Sequence, residues 1–356
     1  MYHGRKSETK VQFTFETKKE FWKNEFRRAH GKILSYLWFK FKWKFFPKFK
    51  LVAPFPLNVD IEVSSSCNLK CDHCFRQYMD IKENGLMSLE MYKKIVDECG
   101  KHKLFTLKFS MRGEPTLHPD LPEMVAYAKD KGIKEIWINT HGGNITEDLA
   151  VGLMQAKPDW ITMSFDGLDE MYESIRKPLR YQESFEKLKI LRKARDKYAP
   201  YTMLNVQTLW SAIKDDPDKY RKTMREVVDR VAFNSDMNFK EIMLVPDPDF
   251  ICPRLWQRLV ITSEGDVLKC PSDFEKDEVL GNVREKSIKE IWDNEQKSNR
   301  AAHVAGKKND SVPCKKCHHG AKKVKREVNV ADDNIDCFNF EFEKEFSGVG
   351  LNRSKK

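Results

Sequence analysis

No stretch of this sequence is apolar over the roughly twenty residues needed to span a bilayer, which excludes a helical integral membrane protein. The opening residues, MYHGRKSETK, have no apolar core of the kind a secretory signal needs. There is no internal repeat, and no low-complexity tract apart from lysine-rich stretches. A cytoplasmic enzyme is the default expectation. In a reducing compartment, nine cysteines then argue for metal binding or catalysis before disulfides. A uniformly basic surface is missing too. Residues 1–50 hold fourteen Lys and Arg against four Glu, which equals the whole chain's net charge of +10. The remainder sums to zero, so the protein reads as a neutral body with a cationic N-terminal extension. At 356 residues there is room for one large domain and a smaller one.

Within the extension, Trp22, Phe26, Ala29, Ile33 and Leu37 fall at spacings of three and four, the signature of one helix face. From Phe39 to Phe45 the pattern becomes strict alternation, with rings at Phe39, Phe41, Trp43 and Phe45 separated by Lys40, Lys42 and Lys44. Alternation predicts a strand here, packed with the preceding helix on the main domain, its lysines in water. A peripheral membrane contact through residues 1–50, rings among headgroups and lysines on lipid phosphate, is the second expectation. Nucleic acid could meet the same charge and rings, but is the weakest of the three.

After PFP at 54–56 a βα rhythm sets in. Strands are expected at NVDIEVS, LFTLKFS, IKEIWINT, WITMSFD, YTMLNVQTLW and FKEIMLVP. Between them run helices at SLEMYKKIVDECGKH with Ser88 as N-cap, PEMVAYAKDKG closed by Gly132, EDLAVGLMQA, and YQESFEKLKILRKARDKY. Strands alternating with helices predict a parallel sheet, either a barrel or a doubly wound sheet, whose working residues lie in loops at the strands' carboxyl ends. Three cysteines (Cys67, Cys71 and Cys74), MRGEPT, THGG and FDG all occupy such positions.

Three thiolates on one tight loop suit an iron–sulfur cluster and leave one iron of a cubane open. Zinc with His73 as fourth ligand is the competing reading. His73 stands directly beside Cys74, a poor position for closing a shell that includes Cys67 and Cys71. Cys-x₃-Cys-x₂-Cys after the first strand of an α/β domain resembles the radical S-adenosylmethionine (SAM) enzymes, over roughly residues 56–245. The resemblance implies α/β architecture, a partial TIM-type (β/α)6 barrel with a small cysteine-rich C-terminal auxiliary-cluster domain. It implies SAM on the open iron of a [4Fe–4S] cluster, a 5′-deoxyadenosyl radical, and an electron donor such as flavodoxin or ferredoxin. By position, His73 stands where the family has an aromatic residue near the adenine. Gly113, Glu114 and Pro115 match the turn that binds the methionine amino group, with Arg112 in place of its first glycine. Asn139 and Thr140 fall at the ribose-contacting strand end, Ser164 and Asp166 at the next, and Arg176 within reach of the methionine carboxylate.

Farther on, ICPRLWQRLVITSEGDVLKCPSDF reads as a hairpin turning at SEGD, with Cys252 and Cys270 at its ends and Gly265 between them. A helix at IKEIWDNEQKSNRAA and the pair Cys314 and Cys317 follow. Four cysteines in two pairs suit a zinc ribbon. Beside a radical SAM motif they resemble the SPASM domain in its shorter twitch form, which implies one auxiliary [4Fe–4S] cluster ligated entirely by protein. The divisions expected are a basic aromatic extension at 1–55, a radical SAM core at 56–245, an auxiliary-cluster domain at 246–340 and a tail at 341–356. Cys99 reads as core and Cys337 as a buried or surface cysteine or a hydrogen donor; Asp236 and Glu241 are candidate bases. By analogy with short single-cluster relatives, the expected activity is oxidation or epimerisation of a sugar- or cyclitol-type alcohol, free or carrier-linked. The alternatives are a peptide- or protein-modifying maturase, against which the absence of a leader-binding module before the barrel counts mildly, and, from another class, a zinc protein binding nucleic acid.

Overall fold

The computed structural model describes residues 12–78, 85–236, 245–328 and 337–342, with side chains for 14–78, 85–236 and 245–322. The chain runs β1 (Gln12–Thr14), α1 (Lys18–Ala29), α2 (Ile33–Phe49), β2 (Asn58–Ile61), α3 (Leu89–Lys101), β3 (Thr106–Phe109), α4 (Leu121–Asp130), β4 (Glu135–Thr140), α5 (Glu147–Gln155) and β5 (Trp160–Ser164). It continues through α6 (Asp169–Ile175), α7 (Tyr181–Tyr198), β6 (Met203–Leu209), α8 (Pro217–Arg225) and β7 (Arg230–Asn234). The C-terminal part holds β8 (Arg258–Ile261), β9 (Asp266–Leu268), β10 (Val279–Asn282), α9 (Ile288–Asp293), α10 (Glu295–Val304), α11 (Val312–Lys315), β11 (Lys323–Val328) and β12 (Cys337–Phe342).

One ten-stranded sheet has the order β1-β7-β6-β5-β4-β3-β2-β8-β9-β10, so it is open at both edges. Strands β2 to β7 are parallel, each joined to the next through helices, which gives the partial (β/α)6 barrel. The expected SEGD hairpin is present as β8 and β9, and β8 also pairs in parallel with β2, Asn58 opposite Arg258. The cysteine-rich segment therefore extends the same sheet. The sixth parallel strand is Arg230–Asn234, not FKEIMLVP, most of which lies outside the described residues.

Alternation along the strands sorts the two faces. Val59, Ile61, Leu107, Phe109, Ile136, Ile138, Val206 and Phe233 join the apolar layer under the helices. The intervening Asn58, Asp60, Glu62, Thr106, Glu135, Thr162 and Asn205 are buried on the other face, so the barrel interior is polar. Ser88 caps α3 by accepting from the Met91 N–H, and Gly132 takes φ +82° just past α4.

Residues 12–49 are built into this frame. β1 adds antiparallel to β7, and α1 and α2 cover the amino ends of the strands. Arg28 inserts from below, its Nε and Nη2 2.5 and 2.8 Å from the Glu135 carboxylate. Arg27 donates to the carbonyls of Pro200 and Thr202, and Lys32 meets Asp159 at 2.6 Å. The strand expected over Phe39–Phe45 is helix instead. On a helix, positions two apart lie on nearly opposite sides, so Phe39 and Trp43 are buried, with Phe39 stacked on Phe105, while Phe41 faces out. The face expected from Trp22 to Leu37 is likewise not the packing face: of its members only Ala29 is buried. No described helix is long and apolar enough to cross a membrane.

Candidate active site

The loop after β2 carries Cys67, Cys71 and Cys74 and is pinned from several sides. Ser66 O accepts the Glu114 N–H at 2.8 Å, and Arg76 Nη1 reaches Ser65 O at 2.7 Å and Arg112 O at 3.3 Å. Gly113 makes this approach possible. A Cβ there would stand 2.1 Å from Ser64 O and 2.6 Å from Ser66 O. The RGEP turn and the cysteine loop are thus packed backbone to backbone, which only glycine allows.

Arg112, where the family motif has glycine, is buried and forms a bidentate pair with Glu62, at 2.9 and 2.7 Å. Glu62 also accepts from the backbone of Ser263 at 3.2 Å, tying the ends of β2, β3 and β8 together. The Glu114 carboxylate is 3% exposed and already holds the Thr116 N–H and hydroxyl, the Thr140 hydroxyl at 2.5 Å and the His141 N–H at 2.8 Å. It organises the ends of β3 and β4. Thr140 is engaged in the same network, accepting from Gly142, while Asn139 donates to Ser110 Oγ at 3.3 Å.

Asp166 is buried and bridges two elements, accepting the Leu209 N–H at 2.8 Å and pairing with Arg176 at 2.5 Å. Arg176 Nη1 lies 3.8 Å from Cys71 Sγ. Burial opposes the guanidinium's charge, but Asp166 and Cys71 hold its pKa above the ordinary arginine value. Burial pushes the Cys71 thiol up to about 11, with Arg176 opposing and Cys74 and Cys67 adding to the rise; Cys67 and Cys74 are also raised, chiefly by burial. Such thiols ionise when a metal centre takes the proton's place, and flanking Arg76 and Arg176 suit a cluster of net negative charge.

The second set gathers Cys252 before β8, Cys270 after β9, and Cys314 and Cys317 around α11. Burial pushes Cys252 up to about 11 and raises Cys270 and Cys314, the thiols adding to one another's shifts. His303 Nε2 sits 3.4 Å from Cys314 Sγ. Four cysteines from three segments match the closed donor set of a cubane. Among the described residues, no three Cys, His, Asp or Glu side chains converge on a single-ion position, whereas a cubane's thiolates bind separate irons.

A cavity of about 420 Å³ joins the two sets. Cys71, His73, Cys74, Ser164, Asp166 and Arg176 line one side, and Arg254, Phe274, Lys316, Cys317, His318 and His319 the other. Phe75 stacks on Phe274 at 4.0 Å where the walls meet. Gly113, Glu114, Pro115, Asn139 and Thr140 are not among the residues that line the cavity; Asn139 connects to it through Ser110, and the RGEP turn through the cysteine loop at Ser66. Gln207 and Asn234, whose inward parity could have flagged them, line it without having been singled out. So do Arg254 and His319, which stand two residues from Cys252 and Cys317. Asp236 is no open base, since its carboxylate takes the Ser211 N–H and hydroxyl, and Glu241 lies outside the described residues. Cys99 is core, fully buried. The backbone of Cys337 pairs with Val328, and its side chain is not among those described.

This geometry agrees with two family models. One, the radical SAM superfamily, matches residues 61–215; the other, an iron–sulfur cluster-binding domain known as SPASM, matches residues 252–318. The chain belongs to the radical SAM superfamily. A radical SAM domain implies SAM and a [4Fe–4S] cluster, and the SPASM domain implies auxiliary iron–sulfur chemistry. The Fe-coproporphyrin III synthase of Methanosarcina barkeri (strain Fusaro / DSM 804) is 36% identical over 110 residues, 31% of this chain and 27% of that protein. The tungsten-containing aldehyde ferredoxin oxidoreductase cofactor-modifying protein of Pyrococcus furiosus (strain ATCC 43587 / DSM 3638 / JCM 8422 / Vc1) is 34% identical over 109 residues, 30% of each chain. The match thus spans under a third of either relative. Among solved structures, BtrN in complex with AdoMet and 2-DOIA superposes with a TM-score of 0.52 at 21% identity, over 74% of this chain and 93% of BtrN. Native anSMEcpe with bound AdoMet gives 0.55 at 19% identity, over 75% and 88%. These likenesses establish the fold of this radical SAM enzyme and not its substrate.

Proposed function

We propose that this radical SAM enzyme oxidises or epimerises a sugar- or cyclitol-type alcohol held between its two cysteine sets. The observation that carries the reading is the cavity itself, with the first cysteine loop in one wall and Cys317 in the other. When bound, the cofactors would supply hydrogen-atom removal from a carbinol carbon and, for oxidation to a ketone, a one-electron acceptor at the second centre, which leaves the hydroxyl proton for a base of this chain.

The chain's own residues do the positioning. Ser110, Ser164, Gln207 and Asn234 present hydroxyl and amide groups to the cavity, a lining suited to a polyol. His319, half-buried in the opposite wall, is assigned as acceptor of the hydroxyl proton. Arg176, fixed by Asp166, together with His73 and Ser164, borders the space assigned to SAM. Gly113, Glu114, Pro115, Asn139 and Thr140 hold that space from behind. Cys252, Cys270, Cys314 and Cys317 are assigned to one fully ligated auxiliary cluster, and a flavodoxin or ferredoxin is the assigned donor.

Anaerobic incubation of the reduced, reconstituted protein with SAM and carbon-deuterated polyols or aminocyclitols tests this. The expected result is deuterium in 5′-deoxyadenosine with a ketone or an epimer as product. Deuterium arriving from peptides and from no alcohol overturns the reading in favour of a maturase.

A further inference from the structure

The closed end of the barrel carries a surface that the proposed chemistry does not use. The inner sides of α1 and α2 seal the amino ends of the strands, through Arg27, Arg28, Lys32, Phe39 and Trp43. Their outer side is exposed and apolar. Phe26 is 71% exposed, Leu34 84% and Trp38 55%. Of the seventeen exposed large apolar residues among those described, ten fall between Trp22 and Val52. Trp38, Phe41, Phe45 and Phe49 form a continuous ladder, with successive ring centroids 5.3, 4.9 and 6.1 Å apart.

Charge along α2 has one sign, while Glu20 and Glu25 of α1 are paired with Arg225 and Lys40. No Asp or Glu occurs between Glu25 and Asp60. Lys42, Lys44 and Lys48 lie over the rings of Trp38, Phe45 and Phe49, at 5.7, 5.3 and 5.8 Å. These three and Lys50 have no carboxylate partner among the described residues. A second copy of the chain would set this lysine row against itself, which argues against a homodimer face. An anionic lipid surface answers both features at once: rings enter the headgroup–acyl boundary while the ammonium groups remain at lipid phosphate.

We infer that the outer face of α1 and α2 docks the protein peripherally on an anionic bilayer. The orientation follows from the fold. α1 and α2 sit at the amino ends of the strands, whereas the first cysteine loop and the cavity-lining Ser110, Ser164, Leu209 and Asn234 lie at or just past the carboxyl ends of β2, β3, β5, β6 and β7, so that wall of the cavity is turned away from the docked end by roughly one strand length (about 15–20 Å). Docking fixes where the enzyme works, and substrate reaches it from the aqueous side.

Flotation of the full-length protein with vesicles of phosphatidylcholine alone, and of phosphatidylcholine mixed with phosphatidylglycerol, tests the inference. The expected result is flotation with the anionic vesicles only, weakened by added salt. Trp38→Ser/Phe41→Ser should abolish it, and Lys44→Ala/Lys48→Ala should weaken it roughly thirtyfold, from the contribution of two lysines near a charged surface. All four positions are outside the buried core, so both variants should melt with the parent. Vesicle-bound protein given dithionite and SAM should still form 5′-deoxyadenosine; loss of that activity on binding overturns the orientation. No flotation with anionic vesicles, or equal flotation with neutral ones, overturns the bilayer. Self-association removed by Trp38→Ser/Phe41→Ser, without vesicle binding, replaces it with a second copy.

Discussion

Gly113→Ala tests whether the RGEP turn serves the cysteine loop through its backbone. The added Cβ would lie 2.1 Å from Ser64 O and 2.6 Å from Ser66 O, where carbon–oxygen contacts begin near roughly 3.3 Å. Turn and loop must therefore separate by about 1 Å. Such a shift breaks the 2.8 Å Glu114–Ser66 bond, at a cost of about 1–3 kcal/mol, with strain of similar size. The sum is about 2–6 kcal/mol. With an unfolding entropy of about 2.1 cal/mol/K per residue over 356 residues, the melting temperature should fall by about 3–8 °C. Because Ser66 directly precedes Cys67, the displacement also disturbs the first donor set and leaves the second intact. The assays are a thermal melt, iron content after anaerobic reconstitution, and 5′-deoxyadenosine formation. Expected are a lowered melt, lost iron at the first site with the second retained, and lost SAM cleavage. A variant with parental melting, full iron and normal cleavage would refute the backbone argument.

Three further predictions follow from single side chains. Arg28→Met leaves the fully buried Glu135 carboxylate without its cation and should cost about 3–5 kcal/mol, whereas Arg28→Met/Glu135→Leu should recover most of that; denaturant melts measure both. Burial alone would raise the Glu135 pKa, but Arg28 holds it below the usual range. The pair's stabilisation is thus present above the unfolded value near about 4.3 and is lost as pH falls through the folded value, while the Arg28→Met deficit should narrow in acid as the orphaned carboxyl protonates. Cys71→Ala should abolish SAM cleavage, and folded Cys270→Ala should retain some cleavage but form no product; equal, complete loss in both would count against electron relay. His319→Gln should keep cleavage and iron content yet slow product formation at least about a hundredfold, the low end for loss of a general base, and unchanged turnover would remove His319 from the proton's path.

Much of the candidate site was legible because its chemistry is carried by near neighbours in sequence. The spacing of Cys67, Cys71 and Cys74 reads directly as a donor loop. The strand–helix order placed that loop, RGEP, NTHGG and SFDG at one end of a sheet, and the caps at Ser88 and Gly132 located helix ends. Other features were hidden because they depend on what packs against what. Arg112 reads as a departure from a glycine motif, and only the fold shows it paired with Glu62, fifty residues earlier. Glu114 reads as an ammonium ligand, and only the fold adds that its oxygens also accept from Thr116, Thr140 and His141. β7 is a short strand whose company is set by β6 and β1, so its local pattern carried little signal.

Residue order alone marked out the two cysteine groups, the α/β alternation and the concentration of charge in the first fifty residues, because spacing, periodicity and composition are local quantities. The tertiary structure decided that Phe39 and Trp43 turn inward while Phe41 turns out, that β8 joins β2, and that one cavity touches both cysteine sets. Each of these is a choice of neighbour across the chain, fixed by which surfaces lose water together.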